Sequence, residues 1–137
     1  MRVVFDSNIF ISALVVQGGA AQRALEAVIA GTCHLVLSRS IIHEVLDVLA
    51  RKFDRNVEEL SRTAVFLSGL GEVVAPRSTV HVLRDEPDNR ILECALAGRA
   101  KLIVTGDREM LALTVWEGMR VVSLREFLAI LAAGLDA

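Results

Sequence analysis

Short apolar runs alternate with longer segments of helical period along this chain. Runs rich in Val, Ile, Leu and Phe predict five strands, at residues 2–5, 34–37, 72–75, 102–105 and 120–123. In the longer segments between them, apolar residues recur every three or four positions, which predicts amphipathic helices. This alternation is typical of βα units around a parallel sheet. We therefore expect an α/β fold: a three-layer domain with a central, mostly parallel sheet of four to five strands flanked by helices.

Capping residues and glycines indicate the helix ends in the first half of the chain. A short helix over residues 9–16 is expected to break at Gly18-Gly19, and a second helix closes at Gly31. Ser38 is the expected N-cap of a third helix, and a fourth helix ends in glycines near residue 71. Two helices therefore separate the first two predicted strands.

The second half of the chain continues the same pattern. Asp88 is expected to open a helix that Gly98 ends, after a loop over residues 76–87. A short helix follows Asp107, and a last helix, LREFLAILAAG, closes the chain. The sequence contains no repeat, linker or low-complexity tract. We therefore expect one domain over residues 1–137.

Composition argues against several classes of protein. With 53% hydrophobic residues and a mean hydropathy of +0.50, the 137-residue chain can bury a sizeable core. Cys33 and Cys94 lie far apart without a CxxC motif, which argues against a disulfide framework or a zinc site and favours a reducing compartment. Neither an apolar run of about 18 residues nor a secretory signal is evident. We expect a cytoplasmic protein with no membrane segment.

The charge balance gives only weak evidence about partners. The formal net charge is −2 and the sequence pI is about 5.9, so the chain has no global excess of positive charge for nucleic acid. All but two of the 15 Lys and Arg residues are Arg, the side chain suited to bidentate phosphate contacts. Genomic base composition explains that excess equally well.

Three aspartates occupy positions where the predicted sheet would collect them. Asp6 and Asp107 follow the first and fourth strands, in VVFDSN and LIVTGD, and Asp88 begins a helix. Ligands of open parallel sheets bind beyond the carboxyl ends of the strands, at the point where strand order reverses. Each aspartate could instead be a simple helix N-cap. Three caps that open on one edge of a sheet are less ordinary than any one of them.

Glu44 distinguishes a site from a set of caps, because it is not at a helix end. Helical spacing puts it on the margin of an apolar stripe that includes Ile41 and Val45. Asp47 on the same helix has Arg51 four residues later as an ion-pair partner, whereas local sequence supplies Glu44 with no cation. A half-buried carboxylate needs a partner from elsewhere, and the alternative is a solvated charge.

Several carboxylates gathered at one place repel one another unless a cation neutralises them. Ligation by oxygen alone, without Cys and with few His, points to Mg²⁺ or Mn²⁺ rather than to zinc. One or two such ions can generate hydroxide, orient it and stabilise a leaving oxygen. Metal-assisted phosphodiester hydrolysis is therefore the leading chemistry that the acids predict.

Four stretches resemble the PIN domain, the fold of many metal-dependent ribonucleases. They are FDSNIF near the start, SIIHEVLDVL, RDEPDNRILECA and TGDREML, and together they extend the resemblance over essentially the whole chain. Each stretch is weak alone, but their order and βα context are fairly specific. The chain looks most similar to single-domain prokaryotic toxins of toxin-antitoxin pairs, of the virulence-associated-protein-C type.

The resemblance implies roles for individual residues. Four acids would be both the catalytic and the metal-binding residues: Asp6, Glu44, Asp88 and Asp107. Asn8 and Thr105 match polar positions that support such a cluster. Asp85 is ambiguous, because the DEPD stretch offers two aspartates and the spacing favours Asp88.

The expected substrate and partners follow from the same resemblance and from the position of the arginines. Four arginines near the predicted site are candidates for phosphate contacts with single-stranded RNA: Arg39, Arg84, Arg90 and Arg108. The resemblance further implies a small antitoxin protein. The apolar last helix and the general frequency of homodimers suggest self-association; an ordinary core helix is the alternative.

Two other classes of function remain open from the sequence. The first is a non-catalytic module that binds RNA or protein and whose acids are only caps; the position of Glu44 counts against it. The second is a receiver-like phosphoacceptor domain, which also gathers acids around Mg²⁺. That class needs a late lysine at the site, and Lys101 precedes its strand, on the wrong edge of the sheet.

Overall fold

The computed structural model describes residues 1–134, so residues 135–137 of the expected domain lie outside the described residues. Strands and helices alternate, which confirms the α/β prediction. The strands are β1 (Arg2–Phe5), β2 (His34–Ser38), β3 (Glu72–Val74), β4 (Leu102–Val104), β5 (Val115–Trp116) and β6 (Met119–Val122). The helices are α1 (Ser7–Val15), α2 (Ala20–Ile29), α3 (Arg39–Lys52), α4 (Val57–Ser68), α5 (Glu86–Ala97), α6 (Arg108–Leu111) and α7 (Leu124–Ala132).

All six strands belong to one sheet with the order β3-β2-β1-β4-β6-β5. Its neighbours are parallel except for β5, which pairs antiparallel with β6. The prediction of four to five strands therefore missed one strand, the two-residue β5. Glu117 and Gly118 connect it to β6, and both have positive φ, 51° and 79°, as tight hairpin turns require. Because Glu-Gly is a weaker turn signal than Asn-Gly, the sequence pattern did not reveal this hairpin.

The strand order reverses between β1 and β4. The chain builds outward from β1 to β2 and β3, then returns to place β4 on the other side of β1. Phe5 pairs with Val104 in this register, and the Asp6 N–H continues the ladder by donating to the Val104 carbonyl at 2.9 Å. The residues that directly follow β1 and β4 are therefore neighbours at the carboxyl edge of the sheet, where ligands bind in open α/β folds.

Burial of apolar side chains on the central strands fixes this arrangement. β1 and β4 contribute fully buried residues, and the Phe5 ring contacts the rings of Phe10 and Phe127 with centroid distances of 5.7 and 5.5 Å. Tilted and edge-to-face rings of this kind add to the stabilisation from burial alone. Cys33 and Cys94 are buried free thiols. Within residues 1–134, no helix is long and apolar enough to cross a membrane.

Two helices begin earlier than their sequence signals suggest. α1 begins at Ser7, because the Asp6 side chain caps it by accepting the Asn8 backbone N–H at 3.3 Å. The expectation that Asp88 opens α5 is wrong: the helix begins at Glu86, and Asp88 lies within its first turn. Pro87, which the sequence placed in a loop, is tolerated there because a first-turn residue has no intrahelical N–H bond to lose.

Candidate functional site

One hydroxyl connects the two aspartates that follow β1 and β4. The Thr105 Oγ1 donates to Oδ2 of Asp6 at 2.7 Å and accepts the backbone N–H of Asp107 at 3.0 Å. Asp6 is 3% exposed and Thr105 is fully buried. This geometry holds the Asp6 carboxylate in one orientation and brings the start of α6 against the end of β1.

Capping and a shared site are compatible at this edge. Asp6 Oδ1 accepts the backbone N–H of Asn8, and Asp107 Oδ2 accepts that of Met110 at 2.9 Å. Each cap occupies one lone pair, and a carboxylate has about four. Asn8 contributes its backbone here, while its side chain is exposed. The caps therefore orient both carboxylates without using up their capacity to accept further ligands.

The electrostatic environment of Glu44 matches that of a half-buried acid without a cation. Burial raises the pKa of Glu44, and the negative charges of Asp6 and Asp85 raise it further. Within residues 1–134, Glu44 forms no salt bridge. By contrast, Asp47 on the same helix pairs with Arg51 at 2.9 Å. The sequence-based distinction between the two acids is thus seen in the structure.

Asp88 carries the strongest perturbation of the acids. Burial raises its pKa to about 7, helped by the negative charges of Asp6, Asp107, Asp85 and Glu44. Asp88 therefore lies within electrostatic reach of the other three predicted acids and of Asp85. Several carboxylates in one poorly solvated region destabilise the folded protein, and such clusters are typical of functional sites.

A divalent metal ion fits the chemistry of these donors, although they do not form a complete set of protein ligands. The acids supply only oxygen ligands, as Mg²⁺ and Mn²⁺ prefer, and their mutual repulsion is what such an ion relieves. Among residues 1–134, however, no three His, Cys, Asp or Glu side chains are arranged closely enough to hold a metal ion as they stand. Mg²⁺ usually keeps several waters and is held by one or two carboxylates, so binding does not require a complete set of protein ligands.

The four arginines that the sequence predicts to contact RNA differ in exposure and in ion pairing. Arg39 and Arg108 are exposed in the first turns of α3 and α6. Arg84 is exposed and precedes α5. Arg90 is half-buried, and its guanidinium bonds to Glu86 and Glu93. The structure therefore leaves Arg39, Arg84 and Arg108 available at the surface, whereas Arg90 is engaged by neighbouring acids.

An open groove of about 740 Å³ adjoins the acids on one side, between α3 and the start of α5. Glu44 and Arg39 line it on α3, together with His43, and Pro87 and Arg90 line it on α5. The groove thus joins one predicted acid, Glu44, to two predicted phosphate contacts, Arg39 and Arg90. It is the concave surface through which an extended ligand could reach the acids.

Three polar residues around the acids were missed in the sequence. Asn89 and Glu93 are buried on α5, and Glu109 on α6 accepts the Arg84 backbone N–H at 3.0 Å. A signal for the first two existed: they lie four residues apart and share one face of the helix. The spacing alone did not reveal what they bind, because their partners belong to an irregular segment.

Comparison with protein families agrees with this fold. The model that describes the PIN domain matches residues 2–109. An uncharacterized protein of Methanocaldococcus jannaschii is 29% identical over 117 residues, which cover 82% of this chain and 75% of that protein.

Solved structures share the architecture at low sequence identity. VapBC2 from Rickettsia felis, solved with a DNA fragment from its promoter, superposes with a TM-score of 0.64 at 13% identity, covering 90% of this chain and 98% of that one. VapBC-1 from nontypeable Haemophilus influenzae gives 0.64 at 17% identity, with coverages of 91% and 99%. A Pyrobaculum aerophilum protein gives 0.61 at 19% identity, with coverages of 96% and 89%. These likenesses establish a common fold.

Proposed function

This chain belongs to the PIN domain family, and on that premise we propose that it is a metal-dependent ribonuclease that hydrolyses phosphodiester bonds of single-stranded RNA. PIN domain proteins are typically nucleases, and these generally use divalent metals. The observation that carries the proposal is the shared environment of the four acids at the switch point of the sheet, which raises the pKa of Asp88 to about 7.

The proposed metal ligands are the four acids Asp6, Glu44, Asp88 and Asp107. When bound, Mg²⁺ or Mn²⁺ lowers the pKa of water and offsets the charge that builds on the scissile phosphate. The protein contributes orientation: Thr105 fixes the Asp6 carboxylate and the N-terminal turn of α6 at once. Because Asp6 and Thr105 are buried, few solvent rearrangements accompany the reaction on that side of the site.

The groove between α3 and α5 is the proposed path of the RNA. Arg39 lines the groove with Glu44 and is the proposed contact for a phosphate near the scissile one, and Arg108 directly follows Asp107 at the start of α6. Single strands suit an open groove, because their phosphates and unpaired bases both reach side chains. Arg84 and Arg90 remain predicted contacts, and the ion pairs of Arg90 make it the weakest of the four candidates.

We further propose that the protein is the toxin of a toxin-antitoxin pair. The support is its likeness in fold to the two VapBC structures, together with the resemblance of its motifs to that group. On this proposal a small antitoxin protein restrains the nuclease in the cytoplasm, the chain acts as a single domain, and two copies form a homodimer.

The purified chain, freed of any antitoxin, tests the nuclease directly. We expect cleavage of single-stranded RNA with Mg²⁺ or Mn²⁺ and none with a chelator. Asp6→Asn preserves the size of the side chain and one of its two acceptor oxygens but removes a ligand charge, so it should abolish cleavage, and a thermal melt checks that the protein still folds. Glu58→Gln is the matched control, because Glu58 is an exposed acid of α4 paired only with Arg62.

Two outcomes would contradict the proposal in different ways. Equal cleavage by wild type and Asp6→Asn would indicate a contaminating nuclease or another site. Absence of cleavage by wild type on any RNA, together with no rise in melting temperature when metal is added, would favour the non-catalytic binding module.

A further inference from the structure

The segment over residues 80–85 runs beside α5 without belonging to a helix or strand, and side chains bond its backbone instead. Asn89 Oδ1 accepts the N–H groups of Val82 and Leu83, at 3.1 and 2.8 Å. Its Nδ2 donates to the Leu83 carbonyl at 2.9 Å. Asn89 is fully buried. One amide side chain thus provides hydrogen-bond partners for three backbone groups of a segment that pairs with no strand.

Glu93, one helical turn later, holds the beginning of the same segment. Its Oε2 accepts the Val80 N–H at 2.9 Å and pairs with Arg90 Nη2 at 2.8 Å, and Arg90 Nη2 also donates to the Val80 carbonyl at 3.3 Å. Glu93 is only 8% exposed, and a carboxylate so buried is tolerated when it is both paired and hydrogen-bonded. We call Asn89, Arg90 and Glu93 the side-chain clamp.

The clamped segment ends at Asp85, whose side chain does not cap the helix that follows it. Asp85 is the N-cap residue of α5, yet its side chain makes no capping hydrogen bond. Such a bond typically stabilises a helix by about 1 kcal/mol. The charge of Asp85 instead acts on both Glu44 and Asp88. On the α6 side, Glu109 holds the preceding residue through the Arg84 N–H.

We propose that the side-chain clamp positions Asp85 as a fifth acid of the site, with Asn89 as the positioning residue on which that placement depends. This inference rests on the proposed metal-dependent function. Without the clamp, the N–H groups of the segment would keep only the bond from the Arg84 N–H to Glu109, and the Asp85 side chain would be free to turn back and cap its own helix. By fixing the backbone of the segment over residues 80–85, the clamp would therefore set the position of Asp85 relative to the other acids.

Asn89→Ala would remove the centre of the clamp. The N–H groups of Val82 and Leu83 and the Leu83 carbonyl would lose their partner, so the segment would loosen and the protein would lose some stability. A structural role alone predicts only that loss of stability. A positioning role also predicts weaker metal binding, and it predicts that this second effect acts through Asp85.

A double-mutant cycle on the affinity for Mn²⁺, measured by calorimetry on the full chain, separates the two roles. We expect Asn89→Ala and Asp85→Asn each to weaken Mn²⁺ binding about 10-fold. The double variant should bind no more weakly than Asp85→Asn alone, because Asn89 has nothing left to position. The fall in melting temperature caused by Asn89→Ala should be the same in both backgrounds.

A second pair of variants keeps the test decisive if Asn89→Ala shows no cooperative melting transition. Glu93→Gln retains an acceptor for the Val80 N–H and should keep Mn²⁺ affinity within about twofold, whereas Glu93→Ala takes the place of Asn89→Ala in the cycle. Additive losses of affinity, or unchanged affinity in Asp85→Asn, would overturn the inference while leaving the proposed function intact. Wild-type protein that binds no Mn²⁺ would overturn the proposed function, and this inference with it.

Discussion

The side chains of Thr105 and Asp6 meet although 99 positions separate them in the chain, and their 2.7 Å hydrogen bond joins the ends of β4 and β1. Asp107 is connected through the same hydroxyl, which accepts its backbone N–H. The bond opposes the effect of burial, because it lowers the pKa of Asp6 while desolvation raises it. Thr105 therefore helps keep a buried carboxylate ionised, as a ligand of a cation must be.

Thr105→Val tests this bond with almost no change in side-chain volume. The substitution removes the donor to Asp6 and the acceptor for the Asp107 N–H, so we expect a loss of about 2 kcal/mol in the free energy of unfolding. We also expect weaker binding of Mn²⁺, because the pKa of Asp6 rises further. Urea unfolding and calorimetry measure the two effects, and Thr105→Ser should restore most of both. If Thr105→Val and Thr105→Ser behaved alike, the hydroxyl would have no such role.

Metal-free protein should lose stability as the pH rises, because the folded-state pKa of Asp88 is raised to about 7. Between the unfolded value near 3.9 and about 7, the folded state binds more protons than the unfolded state, so the free energy of unfolding falls with pH in this window. Glu44 and Asp6 also have raised pKa values and contribute with the same sign.

Asp88→Asn isolates this contribution. We expect its advantage over wild type in chelator to be small near pH 5 and to reach on the order of 2 kcal/mol near pH 8. Urea unfolding at both pH values measures the difference. A stability difference that does not change between those pH values would show that the pKa of Asp88 is not raised in the folded protein.

Two glycines at helix ends offer a matched test of packing against the sheet. Gly69 and Gly98 are the C-caps of α4 and α5 with similar φ, −88° and −86°. A Cβ on Gly98 would lie 2.2 Å from Cγ1 of Val36, whereas on Gly69 it would meet nothing closer than 3.5 Å. We expect Gly98→Ala to cost about 2 kcal/mol and Gly69→Ala to be neutral or slightly stabilising. Thermal melts decide, and equal melting temperatures would contradict the close approach of α5 to β2.

The thiols should be unreactive in the folded protein. Burial raises the pKa of Cys94 to about 12 and also raises that of Cys33. Because the thiolate is the reactive form, a thiol reagent should modify both cysteines only after denaturant is added. Rapid modification under native conditions would show that one thiol is reached by solvent more readily than the structure indicates.

The sequence was most informative where local pattern and fold agree. The apolar runs predicted β1, β2, β4 and β6, because buried parallel strands read as continuous apolar stretches. The edge strand β3 is largely exposed, and its two valines predicted it. Asp6 and Asp107 could be assigned to one edge of the sheet only if their strands were neighbours, and the pairing of β1 with β4 confirms that condition. The position of Glu44 on the margin of an apolar stripe was visible from helical spacing alone.

Other features depend on contacts that a local pattern does not show. Pro87 reads as a loop residue, yet the first turn of α5 accommodates it. Asn89 reads as a polar residue after a helix cap, and its three bonds to residues 82–83 appear only once the segment packs on α5. The meeting of Thr105 with Asp6 likewise needs the assembled sheet. In each case tertiary packing decides what the residue binds.

Glu44 and Asp47 provide the most direct test of the central claim that the acids form a metal-dependent ribonuclease site. Both are on α3 and both line the groove, but Glu44 has no salt bridge among the described residues, whereas Asp47 pairs with Arg51. The measurement is the rate of cleavage of one single-stranded RNA in Mn²⁺ by wild type, Glu44→Gln and Asp47→Asn. We predict that Glu44→Gln lowers the rate at least about 100-fold and that Asp47→Asn stays within about twofold of wild type. Equal rates for the two variants would contradict the account.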